Sequence, residues 1–415
     1  GAARPLPLRP RPFMRPLTVL CIASYEKGYE FLREAKRLGC RVLLLTSHSI
    51  KDSAKWPTEA IDEIFYMPDN KKQWDRQQTL NAVSFLARTE IIDRIVPLDD
   101  FDLETAAALR EHLRIPGMGE TTTRYFRDKL AMRRQAADKG LNIPAFVHVL
   151  NYNLVHSFLD QIPSPWVLKP RFMAGAIGIR KIYSRDECWK IIDSLGDDQS
   201  NYLLEQYIPG HIFHVDSIVS ERNVLFAVAS RYGRPPMDVS HQGGVFTTRL
   251  IERDTPLERS LIDKNQLVLS AMGLLRGVSH TEYIEGREDG KIYFLETSAR
   301  VGGAHIADLI AASTGINLWA EWAKIEVDGG AGHYQLGPVS PHYGGLLVSL
   351  ARQEKPDTSA YNDPELVWRL EKKHHVGFVL SSPSYERVQY LMDQYLDRVR
   401  EDFLAVAPPR DKPTE

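Results

Sequence analysis

The stretch TEYIEGREDGKIYFLETSARVGG, residues 281–303, holds two apolar runs joined by the turn GREDG (286–290). Glu282 lies on the first run, Glu296 on the second, and Arg300 follows four residues later. Such runs flanking a glycine-bearing turn predict an antiparallel hairpin. With Glu285 opposite Lys291, Glu282 faces Phe294 and Glu296 faces His280. Opposed residues share a sheet face, as do diagonal neighbours two apart, so both carboxylates are expected to point the same way. Two anions in a strand-rich core repel strongly unless something neutralises them. Mg²⁺ does so with one or two carboxylates and keeps its other positions for phosphate oxygens and water. The plain alternative is a pair of surface carboxylates on a solvated face, and a register slip of one residue would separate them. Arg300 lies beyond the strand end, free to turn its fork toward a carboxylate, and Gly302–Gly303 permits a close backbone approach beside it.

Working outward, 415 residues exceed one ordinary core, so several domains are expected. A chain 43% hydrophobic and 26% charged is that of a globular protein. A net charge of -2, with Arg scattered among acids, disfavours nucleic-acid partners. No apolar run approaches the ~20 residues of a membrane helix. Cys21, Cys40 and Cys188 are too few for a disulfide framework or a zinc site and read as buried free thiols of a cytoplasmic protein. Residues 1–13 alternate Pro and Arg and lack an apolar h-region. They are expected to be an added, disordered leader, with Met14 as the natural start.

From Leu17 an apolar run, a helical run ending at Gly39 and the run RVLLLTS make a β-α-β unit with a parallel sheet. Residues 14–118 therefore read as an open α/β domain. Its first turn, SYEKG, lacks the G-x-G-x-x-G fingerprint, which argues against NAD. Residues 119–330 read as a second domain, opened by one helix through TTRYFRDKLAMRRQAADKG. Its segment from about 145 to 204 is a compact α+β piece, and a larger antiparallel sheet follows. Residues 331–405 read as a small C-terminal subdomain, and 406–415 as a disordered tail.

Several other positions could carry chemistry. Lys169 ends the apolar strand of VLKP just before Gly175 and Gly178. A lysine there meets phosphate as a point charge, and the glycines allow backbone N–H groups to approach it and a lid to move. A glycine-containing hairpin with a snorkelling lysine is the plainer reading. Lys129, among other basic residues, reads equally as a solvated helix face. In YLLEQYIPG, Glu205 precedes a crossover whose backbone could read an adenine edge or simply connect two domains. His214 and Asp216 alternate with apolar residues and share one strand face.

The order of these parts resembles the ATP-grasp superfamily over roughly residues 17–405. The likeness is to its carboxylate–amine ligases, including L-amino-acid (dipeptide) ligases. That resemblance implies a multidomain α/β and α+β fold with an N-terminal domain, a lid and an antiparallel ATP-grasp core. It implies ATP held by Lys129, Lys169 and the lid residues Ala174, Gly175, Ala176 and Gly178. Glu205, Gln206, Tyr207 and Ile208 would hold adenine, with His214 or Asp216 near the ribose. Glu282 and Glu296 would bind one or two Mg²⁺ ions, with Ser298 a further ligand and Mn²⁺ a substitute. Glu296, Lys169 and Arg300 would be catalytic, Arg300 holding the substrate carboxylate and the acyl phosphate. Gly302, Gly303 and the loop His241, Gln242, Gly243 and Gly244 would approach the substrates.

Two departures stand out. Ser298 replaces the Asn of many relatives, and a hydroxyl is the weaker ligand. The HQGG loop lacks the lysine that biotin carboxylase carries after His-Gln. The resemblance therefore implies amide formation from a small carboxylate and an amine, with ADP and phosphate released. Carboxylation or nucleotide-precursor ligation is the alternative, and a non-catalytic ATP-binding regulator a third. Relatives are often homodimers, and a dimer is the corresponding expectation.

Overall fold

In the computed structural model, residues 15–173 and 178–405 are described. The expected leader and tail, and the lid positions Ala174, Gly175 and Ala176, lie outside them.

The N-terminal unit is the expected parallel sheet, in the order Glu63–Met67, Arg41–Ser47, Thr18–Ala23, Arg94–Pro97. Every residue of Thr18–Ala23 is buried, as a central strand covered on both faces requires. The Tyr29–Arg37 helix turns Phe31 and Leu32 inward. Phe31 packs edge-on against Trp322 at 5.3 Å. Both belong to an apolar cluster that runs from the parallel sheet into the second domain. Arg94 adds a polar tie, its Nε donating to the Glu326 carbonyl at the end of the Leu318–Asp328 helix (2.7 Å). The three cysteines are free and buried.

The helix expected from Thr122 to Gly140 is broken. Glu120–Thr123 forms one turn, Arg124–Phe126 a tighter one, and a new helix spans Lys129–Asp138. The cause is Asp128, extended in backbone, whose carboxylate accepts from the amides of Leu130 (3.0 Å) and Ala131 (3.4 Å). This N-cap starts a helix afresh and puts Lys129 at its first position.

The lid is a four-stranded antiparallel sheet in the order Phe146–His148, Tyr202–Gln206, Trp166–Pro170, Arg180–Ile182. The helices Tyr152–Gln161 and Arg185–Leu195 contribute Val155, Phe158, Cys188 and Ile192 to its own core. The larger sheet has eight strands, all antiparallel. Their order is Ile292–Ser298, Gly277–Gly286, Gly210–Ser220, Asn223–Tyr232, Phe246–Leu250, Tyr343–Leu350, His375–Ser382, Leu366–Arg369. The C-terminal strands therefore extend the core sheet. Residue 330 marks no break in it, although the Tyr385–Asp402 helix closes a separate apolar cluster over the far end. Among the described residues no helix is long and apolar enough to cross a membrane.

Candidate active site

The hairpin of residues 277–298 is shifted by one residue from the expected register. Glu285 pairs with Ile292 and Tyr283 with Phe294, and then an irregularity leaves Leu295 without a partner, so that Glu282 pairs directly with Glu296. Tyr283 and Phe294 must both enter the core, where they are 0% and 2% exposed. A regular ladder through that pair would turn Glu296 to the same core. The bulge at Leu295 reverses this, because one extra residue changes the face of everything after it. Both carboxylates thus reach one face, by a device the expected register did not contain.

Burial, and then the Glu296 carboxylate, raise the pKa of Glu282. For Glu296 burial acts the same way, but Lys129 and then Lys169 outweigh it and hold its pKa low. Lys129 Nζ stands 3.5 Å from Glu296 Oε2 and donates to the Met173 carbonyl. It is buried rather than on a solvated helix face. Its backbone is fixed too: its amide donates to the Arg171 carbonyl (2.9 Å), and Arg171 grips Asp128 (2.5 Å).

Lys169 Nζ lies 2.8 Å from Glu205 Oε2, and Arg133 Nε donates to Glu205 Oε1 at 2.8 Å. Burial opposes the Glu205 charge, but Arg133 and Lys169 outweigh it, and the pKa falls to about 2. The Glu205 side chain therefore anchors the lid lysine. Arg133 escaped the sequence reading, yet it sits one helical turn from Lys129 and shares its side of the helix. That spacing could have found it.

Arg300 Nε donates to Asp100 Oδ2 at 2.5 Å, and Nη1 to the Val301 carbonyl at 2.9 Å. Asp100 belongs to LDDFD at the carboxyl end of the Arg94–Pro97 strand, a segment with no role in the expected site. Burial opposes the guanidinium charge, but Asp100 and Asp99 hold its pKa above the ordinary arginine value. The N-terminal domain thus fixes the arginine that the hairpin delivers.

These groups line one cavity of about 330 Å³. Its polar wall carries Lys129, Lys169, Glu205, Glu282, Glu296, Ser298, Arg300 and Asp100. Its apolar wall includes Pro144, Val167, Ile208, Ile212, Ile284 and Leu295, with Gln206 and Tyr207 at the hinge. An apolar wall beside two lysines and two carboxylates suits a purine joined to phosphates. Gly303 also lines it, but Gly302 does not. A Cβ on Gly302 would lie 2.8 Å from His280 Nδ1 and 3.1 Å from Asp216 Oδ1. The close approach expected there is thus made to a buried pair, not to a substrate. Gly302→Ala is expected to cost about 1–3 kcal/mol by overpacking, whereas Gly303→Ala should stay within about 0.5 kcal/mol. Urea unfolding of the two variants checks this.

His214 and Asp216 are not cavity residues, which corrects the expected ribose contact. Both are 0% exposed. His214 Nδ1 is 2.6 Å from Asp216 Oδ2, and its Nε2 is 2.7 Å from Thr248 Oγ1. Of the expected loop at 241–244, His241 and Gln242 end the helix Pro236–Gln242, which Gly243 closes. Pro236 and Met237 line the cavity, while Gly243 and Gly244 do not; the side chains of His241 and Gln242 lie outside the described residues. Gly178 packs near Pro170.

Residues 162–308 match the family described as an ATP-grasp domain. The chain carries an ATP-grasp domain. Likeness in fold to solved structures extends over most of the chain. An L-amino acid ligase from Bacillus licheniformis superposes with a TM-score of 0.73 at 19% identity, covering 94% of this chain and 99% of that one. A carboxyaminoimidazole ribonucleotide synthase from Aspergillus clavatus, complexed with ATP, gives 0.70 at 14% identity, covering 93% and 99%. In sequence, an L-arginine-specific L-amino acid ligase from Bacillus subtilis is 25% identical over 242 residues, or 57% of this chain and 58% of that protein. The chain thus spans less than two thirds of the length of the curated relatives it matches. The ATP-grasp match runs from the lid to the segment after Arg300, and so contains Lys169, Glu205, both opposed carboxylates and Arg300.

Proposed function

We propose that the protein is an ATP-dependent carboxylate–amine ligase that makes an amide through an acyl phosphate, with amino-acid-like substrates. The observation that carries this is the convergence of Glu282, Glu296, Lys129, Lys169 and Arg300 on one cavity wall. Two opposed carboxylates, of which Glu282 still carries a raised pKa although Lys129 and Lys169 offset the charge of Glu296, fit a divalent cation, because it would relieve their remaining repulsion. Mg²⁺ held by Glu282 and Glu296, beside Ser298, would neutralise phosphate charge, and Mn²⁺ is expected to substitute.

Lys169 and Lys129 contact the ATP phosphates, Lys169 pre-aimed by Glu205. The apolar wall takes adenine, with the Gln206–Ile208 backbone along its edge. Arg300, clamped by Asp100, holds the substrate carboxylate in line with the γ-phosphorus. A carboxylate oxygen attacks that phosphorus and ADP leaves. The amine nitrogen then attacks the acyl carbon, the bond to the phosphate oxygen breaks, and phosphate departs as nitrogen loses a proton. Arg300 stabilises charge on the acyl oxygens in both steps. The lid excludes the water that would otherwise hydrolyse the acyl phosphate.

Amino-acid substrates are supported by the likeness to L-amino acid ligases. The expected result is ADP release that requires both an amino acid with a free carboxylate and an amine, with the amide found by mass spectrometry. ADP release with bicarbonate as the only carboxylate source would establish carboxylation instead. ATP binding without turnover across a broad panel would establish a regulator.

A further inference from the structure

From Tyr232 and His280 on the cavity wall, a chain of buried polar side chains that the reaction does not use runs into the sheet. Asp216 accepts on both oxygens, from His214 Nδ1 (2.6 Å) and His280 Nδ1 (2.8 Å). His280 Nε2 lies 3.3 Å from the Tyr232 hydroxyl, and that hydroxyl also bonds the Glu282 carboxylate. The chain spans four strands of the large sheet, Phe246–Leu250, Asn223–Tyr232, Gly210–Ser220 and Gly277–Gly286. Thr248 donates to His214 Nε2, both histidines donate from Nδ1 to Asp216, and the single Tyr232 proton is shared between His280 Nε2 and Glu282. His214, Asp216 and His280 are grouped closely enough to suggest a metal cage. Their separations are hydrogen-bond lengths, however, and both carboxylate oxygens are consumed.

A core spends this much buried polarity only where every member is satisfied, and such networks then fix geometry. Here the fixed end is one of the two opposed carboxylates. The network has a second anchor at Gly302, where a Cβ would press on His280 at 2.8 Å and on Asp216 at 3.1 Å. The Arg300–Gly303 segment and Glu282 therefore rest on the same support.

We propose that Tyr232 and His280, locked by Asp216, are positioning residues that hold the Glu282 carboxylate in its cation-binding orientation. This rests on the reading of Glu282 and Glu296 as a cation pair. The Tyr232 hydroxyl restrains the Glu282 carboxylate, and His280 restrains the hydroxyl. Outer partners of this kind typically contribute 10–100-fold in metal affinity.

The test is Mn²⁺ binding, read by electron paramagnetic resonance with a non-hydrolysable ATP analogue bound. Tyr232→Phe and His280→Asn should each raise the Mn²⁺ Kd by about 10–100-fold. Tyr283→Phe is the control: it removes another buried hydroxyl, bonded to Asn265 (3.1 Å), from the adjacent position of the Glu282 strand but on the opposite face. It should leave the Mn²⁺ Kd within about twofold while costing a comparable about 1 kcal/mol of stability. A wild-type Kd in Tyr232→Phe overturns the proposal, as does equal weakening in Tyr283→Phe, which would make the effect one of stability alone. Failure of the wild-type protein to bind Mn²⁺ is seen before any variant is made and removes the cation reading together with this one.

Discussion

Glu296→Gln is expected to lower amine-dependent ADP release by about 10³-fold while leaving the protein folded. The amide keeps the carboxylate's shape at a position directly opposite Glu282, so packing around the bulge at Leu295 is undisturbed. What is lost is a negative charge within 3.5 Å of Lys129 and one of two ligands for a cation. Charge stabilisation of several kcal/mol is at stake, and about 4 kcal/mol corresponds to three decades in rate. Stability should change much less than turnover: Glu282 loses one cause of its raised pKa, but buried Lys129 loses its carboxylate partner, so the two effects on the metal-free melt oppose each other. Steady-state ADP release and a thermal melt without divalent cations decide this together. Unchanged turnover in a folded variant would sink the assignment of the pair.

The second large effect concerns stability. Glu205→Gln should destabilise the protein by about 3–5 kcal/mol near neutral pH, the usual cost of removing one member of a buried ion pair. Arg133, 2% exposed, would lose its carboxylate, and Lys169 would lose the group that aims it. The sign of the pH dependence follows from the direction of the shift. The Glu205 pKa is depressed in the folded state, from 4.5 to about 2. Its contribution is therefore fully present above about pH 4.5 and fades as pH falls toward 2. The gap in urea midpoints between wild type and variant should be widest at neutral pH and narrow in acid. A gap below about 1 kcal/mol at pH 7 would show that the triad contributes little. ATP affinity should fall as well, because an unaimed lysine loses its pre-organisation.

Much of the architecture was legible along the chain because it rests on local rules. Alternation and turn chemistry announce the hairpin of residues 277–298, the buried runs from Thr18 announce a parallel sheet, and the spacing of Lys169, Glu205, Glu282, Glu296 and Arg300 carries the family resemblance. Local rules also had failures. Asp128 looked like one more residue of a helix, but only its carboxylate's freedom to cap Leu130 and Ala131 shows that the helix begins anew there. Nothing in the residues of the C-terminal strands states that Tyr343–Leu350 will pair with Phe246–Leu250.

The sequence by itself determined which chemical groups this protein owns and roughly where each falls on its strand or helix. Only the tertiary structure decided which way they face and what holds them. The bulge that turns Glu296 toward Glu282 exists because Tyr283 and Phe294 must both enter the core, a demand set by what packs on the other side. Asp100 reaches Arg300 across 200 residues of chain, and Glu205 reaches Arg133 across 72. Asp216, read as a ribose contact, proved to be the buried keystone of two histidines. Alternation places a polar residue on a face, but the depth of that face is fixed by elements far away in sequence, and depth separates a ligand contact from a support.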